Sequence, residues 1–355
     1  MPVSITNGLQ LPSFEIRAAG TPLKLSAGVQ LIQVCVEEDV NLPSMLTLEF
    51  AGLDEQSSAI SVIDDTQLEI GGAVQVKLGY RDSLVILMDG EITGIEPEFH
   101  FNRAPALTVR GYDRRHRLQR GRKSRTFIQQ KDSDIATQIA SEVGLNAKVQ
   151  DSKVTHDYVM QANQSDWHFL QARAQQIGYE VIVEGKILQF REIANANSPK
   201  ITLSFLDDLL EFYPRLSVMG QVTNLTVQGW DTKKKEMISG KAKSGDEVST
   251  MGGQKIGATL SQSAFGSAPG VITDRPIQTQ AEADQFAKAA FNQQVLNLIT
   301  GEGISRGRTD LRAGIVIDIS GIGKRFSGSY YVITARHTYS NSGYYTHFTV
   351  RRNAL

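Results

Sequence analysis

The chain has a single cysteine, Cys35, among 355 residues. One thiol can form neither an intrachain disulfide nor a cysteine-based metal cluster, so both are excluded as sources of stability. Cys35 sits in the alternating stretch Leu31-Ile32-Gln33-Val34-Cys35-Val36, which places it as a small buried residue on a strand. No apolar run approaches the roughly 20 residues needed to span a bilayer. The start, Met1-Pro2-Val3-Ser4-Ile5-Thr6, lacks the basic residues and apolar core of a signal peptide. The protein is therefore expected in the cytoplasm on synthesis. An excess of either charge is also missing: 37 Lys and Arg face 38 Asp and Glu, a net of −1. That balance gives no overall pull toward nucleic acid or anionic lipid.

Catalytic patterns are equally sparse. His100, His116, His156, His168, His337 and His347 show no pair at the spacing of a helical metal site. Asp207-Asp208 and Glu37-Glu38-Asp39 place neighbouring carboxylates on opposite faces of a strand, which makes them poor acid–base partners. Gly301-Glu302-Gly303 lacks the strand-to-helix context of a dinucleotide loop, and the Gly-x-Ser-x-Gly and phosphate-loop motifs are read as absent. The reading is a non-enzymatic chain with no catalytic residue, cofactor or metal ligand.

What is present is a succession of short strands. Pro2, Pro12 and Pro22 leave residues 1–27 able to form only extended pieces. Val29–Glu38, Met45–Phe50, Ala73–Tyr80, Leu84–Met88, Glu91–Phe101 and Ala106–Tyr112 carry strand patterning, with Asp89-Gly90 read as a turn. Leu53–Ile63 has room for a short helix. Asp132-Ser133-Asp134 opens a helix that Gly144 stops, and Ser165 caps a second, Asp166–Ile177, ended by Gly178. Glu184-Gly185 is a hairpin turn. Strands return from Ile201, and Val222–Trp230 ends in Gly229-Trp230-Asp231, an echo of Gly111-Tyr112-Asp113. The segment Thr232–Pro276, rich in Gly, Ser and Lys, is expected to be a long loop. Thr279 caps a helix over 281–298 with an apolar stripe of Ala283, Phe286, Ala287, Ala290 and Phe291. Gly301–Asp310 reads as a loop before three closing strands.

The fold class expected is α+β, mostly β. Two related antiparallel β-barrel modules, 1–118 and 204–355, flank a small α/β insert of helices and a hairpin, 119–203. The second module carries the loop 232–276 and the helix 281–298. Relatedness rests on an internal repeat. At an offset of 241, Val74, Val76 and Leu78 fall on Ile315, Ile317 and Ile319. Ile92-Thr93 falls on Ile333-Thr334, and Leu107-Thr108-Val109-Arg110 on Phe348-Thr349-Val350-Arg351. A period of two fixes strand faces, so keeping phase over three strands implies equal loop lengths and a duplication.

The junction Arg110-Gly111-Tyr112-Asp113-Arg114-Arg115-His116-Arg117-Leu118, with Arg125-Thr126-Phe127 and Asp132-Ser133-Asp134-Ile135-Ala136, resembles the late control D family of phage tail proteins. That family is similar to the hub part of VgrG spike proteins and to contractile baseplate hubs. Tyr158-Val159-Met160-Gln161 with Asn163, Asp166, Trp167, Phe169 and Leu170 also matches. The resemblance spans about Phe14 to Arg352. It implies a homotrimeric hub whose six β modules accept the sixfold tail tube ring on one side and a threefold spike on the other. The chain ends at Leu355 without an OB-fold or β-helix. The expected partners are therefore the tube protein, other baseplate proteins and a separate spike protein, or a spike missing from the C-terminus. The expected destination is a phage virion or a contractile injection particle.

Seven Arg and Lys residues lie between Arg114 and Arg125. Without interleaved aromatics for base stacking, they read as an interface pairing with carboxylates of a neighbouring subunit rather than as a specific nucleic-acid site. The candidate interface residues are Arg110, Tyr112, Asp113, Arg114, Arg115, Arg117, Arg120 and Arg351. The rival reading is a tail-associated protein that binds or degrades peptidoglycan.

Overall fold

The computed structural model describes residues 11–25, 27–52, 63–81 and 83–355. The helix expected at 53–63 falls, apart from Ile63, outside the described residues. The first module contains β1 (Pro12–Ala18), β2 (Thr21–Pro22), β3 (Val29–Asp39), β4 (Met45–Gly52), β5 (Ala73–Tyr80), β6 (Ser83–Glu98) and β7 (Ala106–Asp113). Next come α1 (His116–Gln119), β8 (Lys123–Lys131), α2 (Asp132–Glu142), β9 (Asn146–Val149), β10 (Thr155–Gln164), α3 (Asp166–Gln176), β11 (Tyr179–Glu184) and β12 (Ile187–Glu192). The chain then forms β13 (Thr202–Ser204), β14 (Leu209–Leu216), β15 (Asn224–Asp231), β16 (Glu236–Lys243), α4 (Gly257–Phe265), β17 (Pro269–Ile272) and α5 (Gln280–Val295). It closes with β18 (Ile299–Arg306), β19 (Val316–Ser320), β20 (Gly328–Ser340) and β21 (Gly343–Arg352).

Local chemistry accounts for several of these elements. In β7 the inward positions Leu107, Val109 and Gly111 alternate with partly exposed ones, as a half-buried strand requires. The Ser165 side chain accepts from His168 N–H at the start of α3. Thr279 and Glu282 form a reciprocal capping box at the start of α5.

The fold is mostly β, with two related antiparallel modules around an α/β insert. Their strands run in the same order. The first reads β3-β4-β7-β6-β5-β1 and the second β14-β18-β21-β20-β19-β13. Both belong to one 13-stranded sheet, joined where β3 pairs antiparallel with β20. Each run covers its own apolar cluster. The first holds Val34, Leu46, Leu48, Phe50, Val76, Ile92 and Val109; the second holds Leu209, Ile317, Ile319, Tyr330, Val332, Phe348 and Val350. The insert buries Phe127, Ile135, Ile139, Trp167, Leu170 and Phe190 in a third cluster.

The equivalence extends to irregularities. The β6–β7 ladder slips between Ile92 and Gly94, and the β20–β21 ladder slips between Val332 and Thr334. The β3–β4 ladder slips between Leu31 and Gln33, and β14–β18 between Leu209 and Glu211. Bulges at matching places in both runs are hard to obtain twice by chance. They also correct the repeat. Ile92 faces Gly111 as Val332 faces Val350, so the offset is one less than 241 in β6 and two less in β7. Arg351 therefore corresponds to Tyr112, not to Arg110. Alternating strands match at any even shift, which is why the gapless alignment looked sound in β7. In β6 it set Ile92, an inner residue, on Ile333 of another cluster.

Other expectations are corrected as well. Asp89-Gly90 is no turn, because β6 runs through it, pairing first with β5 and then with β7. Residues 301–310 are not all loop, since β18 occupies them to Arg306; a Cβ on Gly303 would meet the Phe348 ring at 2.5 Å, so glycine is needed for packing. The loop expected at 232–276 contains β16, α4 and β17. Its strand was hidden because, after Ile238, the inward residues of β16 are the small Gly240 and Ala242. A Cβ on Gly240 would lie 2.1 Å from the Ala283 carbonyl oxygen, and this smallness lets α5 approach closely. β15, β16 and β17 form a separate three-stranded sheet under α5. The Gly229-Trp230-Asp231 echo thus lies outside the strand run that the two modules share.

Candidate interface

The two modules meet along β3 and β20, with Thr334 opposite Asp39 and Ser340 opposite Gln33. Two ion pairs cross this seam. On the outer face Arg336 Nε lies 3.3 Å from Glu37 Oε1. Arg312 grips the Glu38 carboxylate through Nε at 2.7 and 2.8 Å, while Ala313 N–H donates to it at 3.2 Å. Arg312 also donates to the Leu87 carbonyl, tying the loop before β19 to β6. Burial lowers the Arg312 pKa, but the Glu38 charge outweighs it and the net shift is upward. Beside them His337 is fully buried, its Nδ1 2.9 Å from the Tyr344 hydroxyl. Burial holds its pKa at about 4. A groove of about 640 Å³ runs over the seam, lined among others by Glu37, Asp39, Tyr112, Tyr213, Glu302 and Arg336.

The residues proposed from sequence divide into two groups. Asp113, Arg114 and Arg115 are buried and engaged inside the chain. Asp113 accepts from Arg115 Nε at 2.8 Å and from Ser44 N–H at 2.8 Å, and Arg115 also donates to the Asp39 carbonyl and the Ser44 hydroxyl. Arg114 donates to Asp89 and to the Gly185 carbonyl, joining the insert hairpin to β6. These three are therefore a corner brace, not groups free to pair with a neighbour, because a buried guanidinium needs its partners at hand. Arg117 pairs with Glu91, which also accepts from His116. Burial pushes the Glu91 carboxyl up, but the hydrogen bonds from Arg117 and His116 bring it below the usual range. Tyr112, Arg120, Arg110 and Arg351 keep access to solvent, although Arg110 already holds Glu96 at 2.7 Å.

Sequence reasoning missed the polar links that fix the insert to the second module. His156 lies 2.7 Å from Glu282 and 3.1 Å from Asp132, and Arg173 donates to both Asp132 oxygens. Burial alone would depress the His156 pKa; hydrogen bonds to the two carboxylates reverse that and carry it up to about 9. Glu180, on β11, accepts from the Tyr331 hydroxyl and from Arg191. The two links that reach the second module, His156 to Glu282 and Glu180 to Tyr331, join residues more than a hundred positions apart, so no local pattern announces them.

Gly303-Ile304-Ser305-Arg306-Gly307 spells the Gly-x-Ser-x-Gly pattern, which corrects the expectation that this motif is absent. It lies along β18, not at a strand-to-helix turn. Ser305 is fully buried and donates to the Arg306 carbonyl, so the pattern does not form a nucleophile. Among the described residues no group of three or more His, Cys, Asp or Glu could hold a metal. Among them also, no helix is long and apolar enough to cross a membrane.

Residues 9–341 match the family model described as Alg8 N-terminal domain. No curated protein matches the sequence. Of the solved structures, the prophage MuSo2 43 kDa tail protein from Shewanella oneidensis aligns at a TM-score of 0.73 and 12% identity, over 96% of this chain and 98% of that one. The tail protein from Neisseria meningitidis MC58 gives 0.70 at 12% identity, over 96% and 97%. The E. coli c3393 protein is described as a type VI secretion component with structural similarity to the T4 bacteriophage tail proteins gp27 and gp5. It gives 0.62 at 13% identity, over 96% and 77%. The shared property at these identities is the fold.

Proposed function

Since the chain belongs to the Alg8 N-terminal domain family, and its fold is that of the tail proteins above, we propose that it is the structural hub of a contractile tail or injection-system baseplate. The observation that carries this reading is the doubled strand order with its paired bulges. Three copies of a chain with two similar modules offer six similar surfaces in a ring. A threefold object can then mate with a sixfold one, because each module meets nearly the same neighbour. The role is mechanical and non-enzymatic: one side accepts the tail tube ring, the other a spike carried by a separate polypeptide or a further domain. The resemblance of residues 110–136 to the late control D family supports the same assignment.

The test is the mass of the purified chain by light scattering, followed by its capture of the tube protein. The expected result is three copies per particle and binding to a preassembled tube ring. A particle of six copies, or one that ignores the tube protein, overturns the reading.

A further inference from the structure

The internal seam is a template for a contact between chains, and both strand edges of a second such contact are present and, among the described residues, carry no further strand, although the Glu96 side chain on one of them holds Arg110 of its own chain. In the first module β3 is the outermost strand, and β20 covers it. Its counterpart β14 is the outermost strand of the second module and ends the sheet; among the described residues its ladder partner is β18, with a single bridge from Leu209 to Phe205 besides. The counterpart of β20 is β6. β5 covers the early part of β6, with Ala73 opposite Glu91, and Ile92 bonds to Gly71 and Gly72. Beyond that point, among the described residues, Gly94–Glu98 has a backbone partner only in β7. This is the stretch that, in β20, takes β3. Glu96, Pro97 and Glu98 are exposed, as are Tyr213 and Arg215.

The matched bulges set the register. Gln33 opposite Glu49 corresponds to Glu211 opposite Ile304, which maps Glu37 to Arg215; the β6 bulge maps Arg336 to Glu96. Arg336 and Glu37 are the ion pair across the internal seam. The same position between two chains brings Glu96 to Arg215: the pair is kept with its signs exchanged. One step along, Ile95 meets Leu216 where Ala335 meets Glu38. We propose that β14 of one chain lies against residues 94–98 of a second copy, with Arg215 facing Glu96. This repeats the internal seam between chains. The proposal rests on the hub reading, for which it names the contact between protomers.

A further feature shapes this contact. Val40 N–H donates to the Ile333 carbonyl. Counting in twos along the ladder, Val36 and His337 are a hydrogen-bonded pair. Their counterparts are Pro214 and Pro97, neither of which has an N–H to donate. The copy seam therefore lacks the backbone bonds of its central pair and stands slightly open there. It depends on side chains, so it selects a strand with the right charge, and the prolines discourage unrelated strands from adding to either edge.

The test places cysteines at Glu96 and Arg215 in a Cys35→Ser background and oxidises the full-length chain. The pair occupies a non-hydrogen-bonded position, where Cα atoms stand roughly 4.5 Å apart and a disulfide can close. Crosslinked dimers and trimers on a non-reducing gel are expected, absent from either single-cysteine chain. In parallel, Arg215→Glu should weaken self-association about tenfold or more, and Glu96→Arg combined with it should restore the mass. Among the described residues Arg215 has no ion-pair partner in its own chain, whereas Glu96 holds Arg110; Glu96→Arg alone therefore measures the loss of that internal pair, and recovery of the mass only when both reversals are combined reports the contact itself. Trimers that neither crosslink nor respond to the reversals overturn the proposed contact and leave the hub reading standing. A chain that stays monomeric before any substitution overturns the hub reading and this contact with it.

Discussion

The two modules share strand order and bulges, yet differ in what interrupts them. Between β3 and β4 the first has only residues 40–44, whereas between β14 and β18 the second carries β15, β16, α4, β17 and α5. The outermost partner of β5 is antiparallel β1, while that of β19 is parallel β13. A sheet tolerates additions at its turns because they leave the ladder intact; it does not tolerate a lost bulge, which would turn every later side chain to the wrong face. The conserved geometry is therefore the ladder, and the variable geometry hangs from its ends.

The sharpest way to break this comparison is to hollow one module at a time. Phe50→Ala in the first and Phe348→Ala in the second each remove a buried ring, and each should cost about 3–5 kcal/mol. If the shared sheet makes the modules one cooperative unit, chemical denaturation of either variant shows a single shifted transition. Two separate transitions would mean that the modules are joined only in connectivity. Next in size is the seam. Arg312→Ala leaves Glu38 nearly buried without its partner, a loss of about 3 kcal/mol, discounted to about 2 because the guanidinium is partly exposed. The same measurement should show it destabilising both modules together.

The two histidines sharpen the contrast through pH. His156 is raised to about 9, so its contribution is complete below its unfolded value near 6.5 and is lost as the pH rises through 9. His337 is held at about 4, so its neutral form contributes above 6.5 and that contribution is lost as the pH falls through 4. Each is worth at most about 3 kcal/mol at its limit. Melting temperature against pH should therefore peak near 6.5. His156→Gln should flatten the alkaline side and His337→Gln should reduce the acid loss; an unchanged alkaline limb in His156→Gln would show that the latch to Glu282 does not form. The smallest effect is at the helix caps. Ser165→Ala in the insert and Thr279→Ala in the second module should each cost about 1 kcal/mol by thermal unfolding.

Particular elements show where the sequence was legible. The alternation in β7, the caps of α3 and α5 and the burial of Cys35 are local properties, carried by residues within one element. β16 was illegible because two of its inward residues, Gly240 and Ala242, are small, and Gly240 is so for the sake of a helix that arrives much later in the chain. The basic run was read as a surface feature because charge is local information. That Asp113, Ser44 and Asp39 enclose Arg115 is not.

By itself, the sequence determined that this protein is a β-rich chain containing one module twice, since a period of two and its punctuation by turns are written residue by residue. Only the tertiary structure decided which residues of the two modules correspond, because a bulge shifts a register without changing the alternation around it. Only it decided which edges are covered and which are left open, because strand pairing is a choice among distant partners that look alike in sequence.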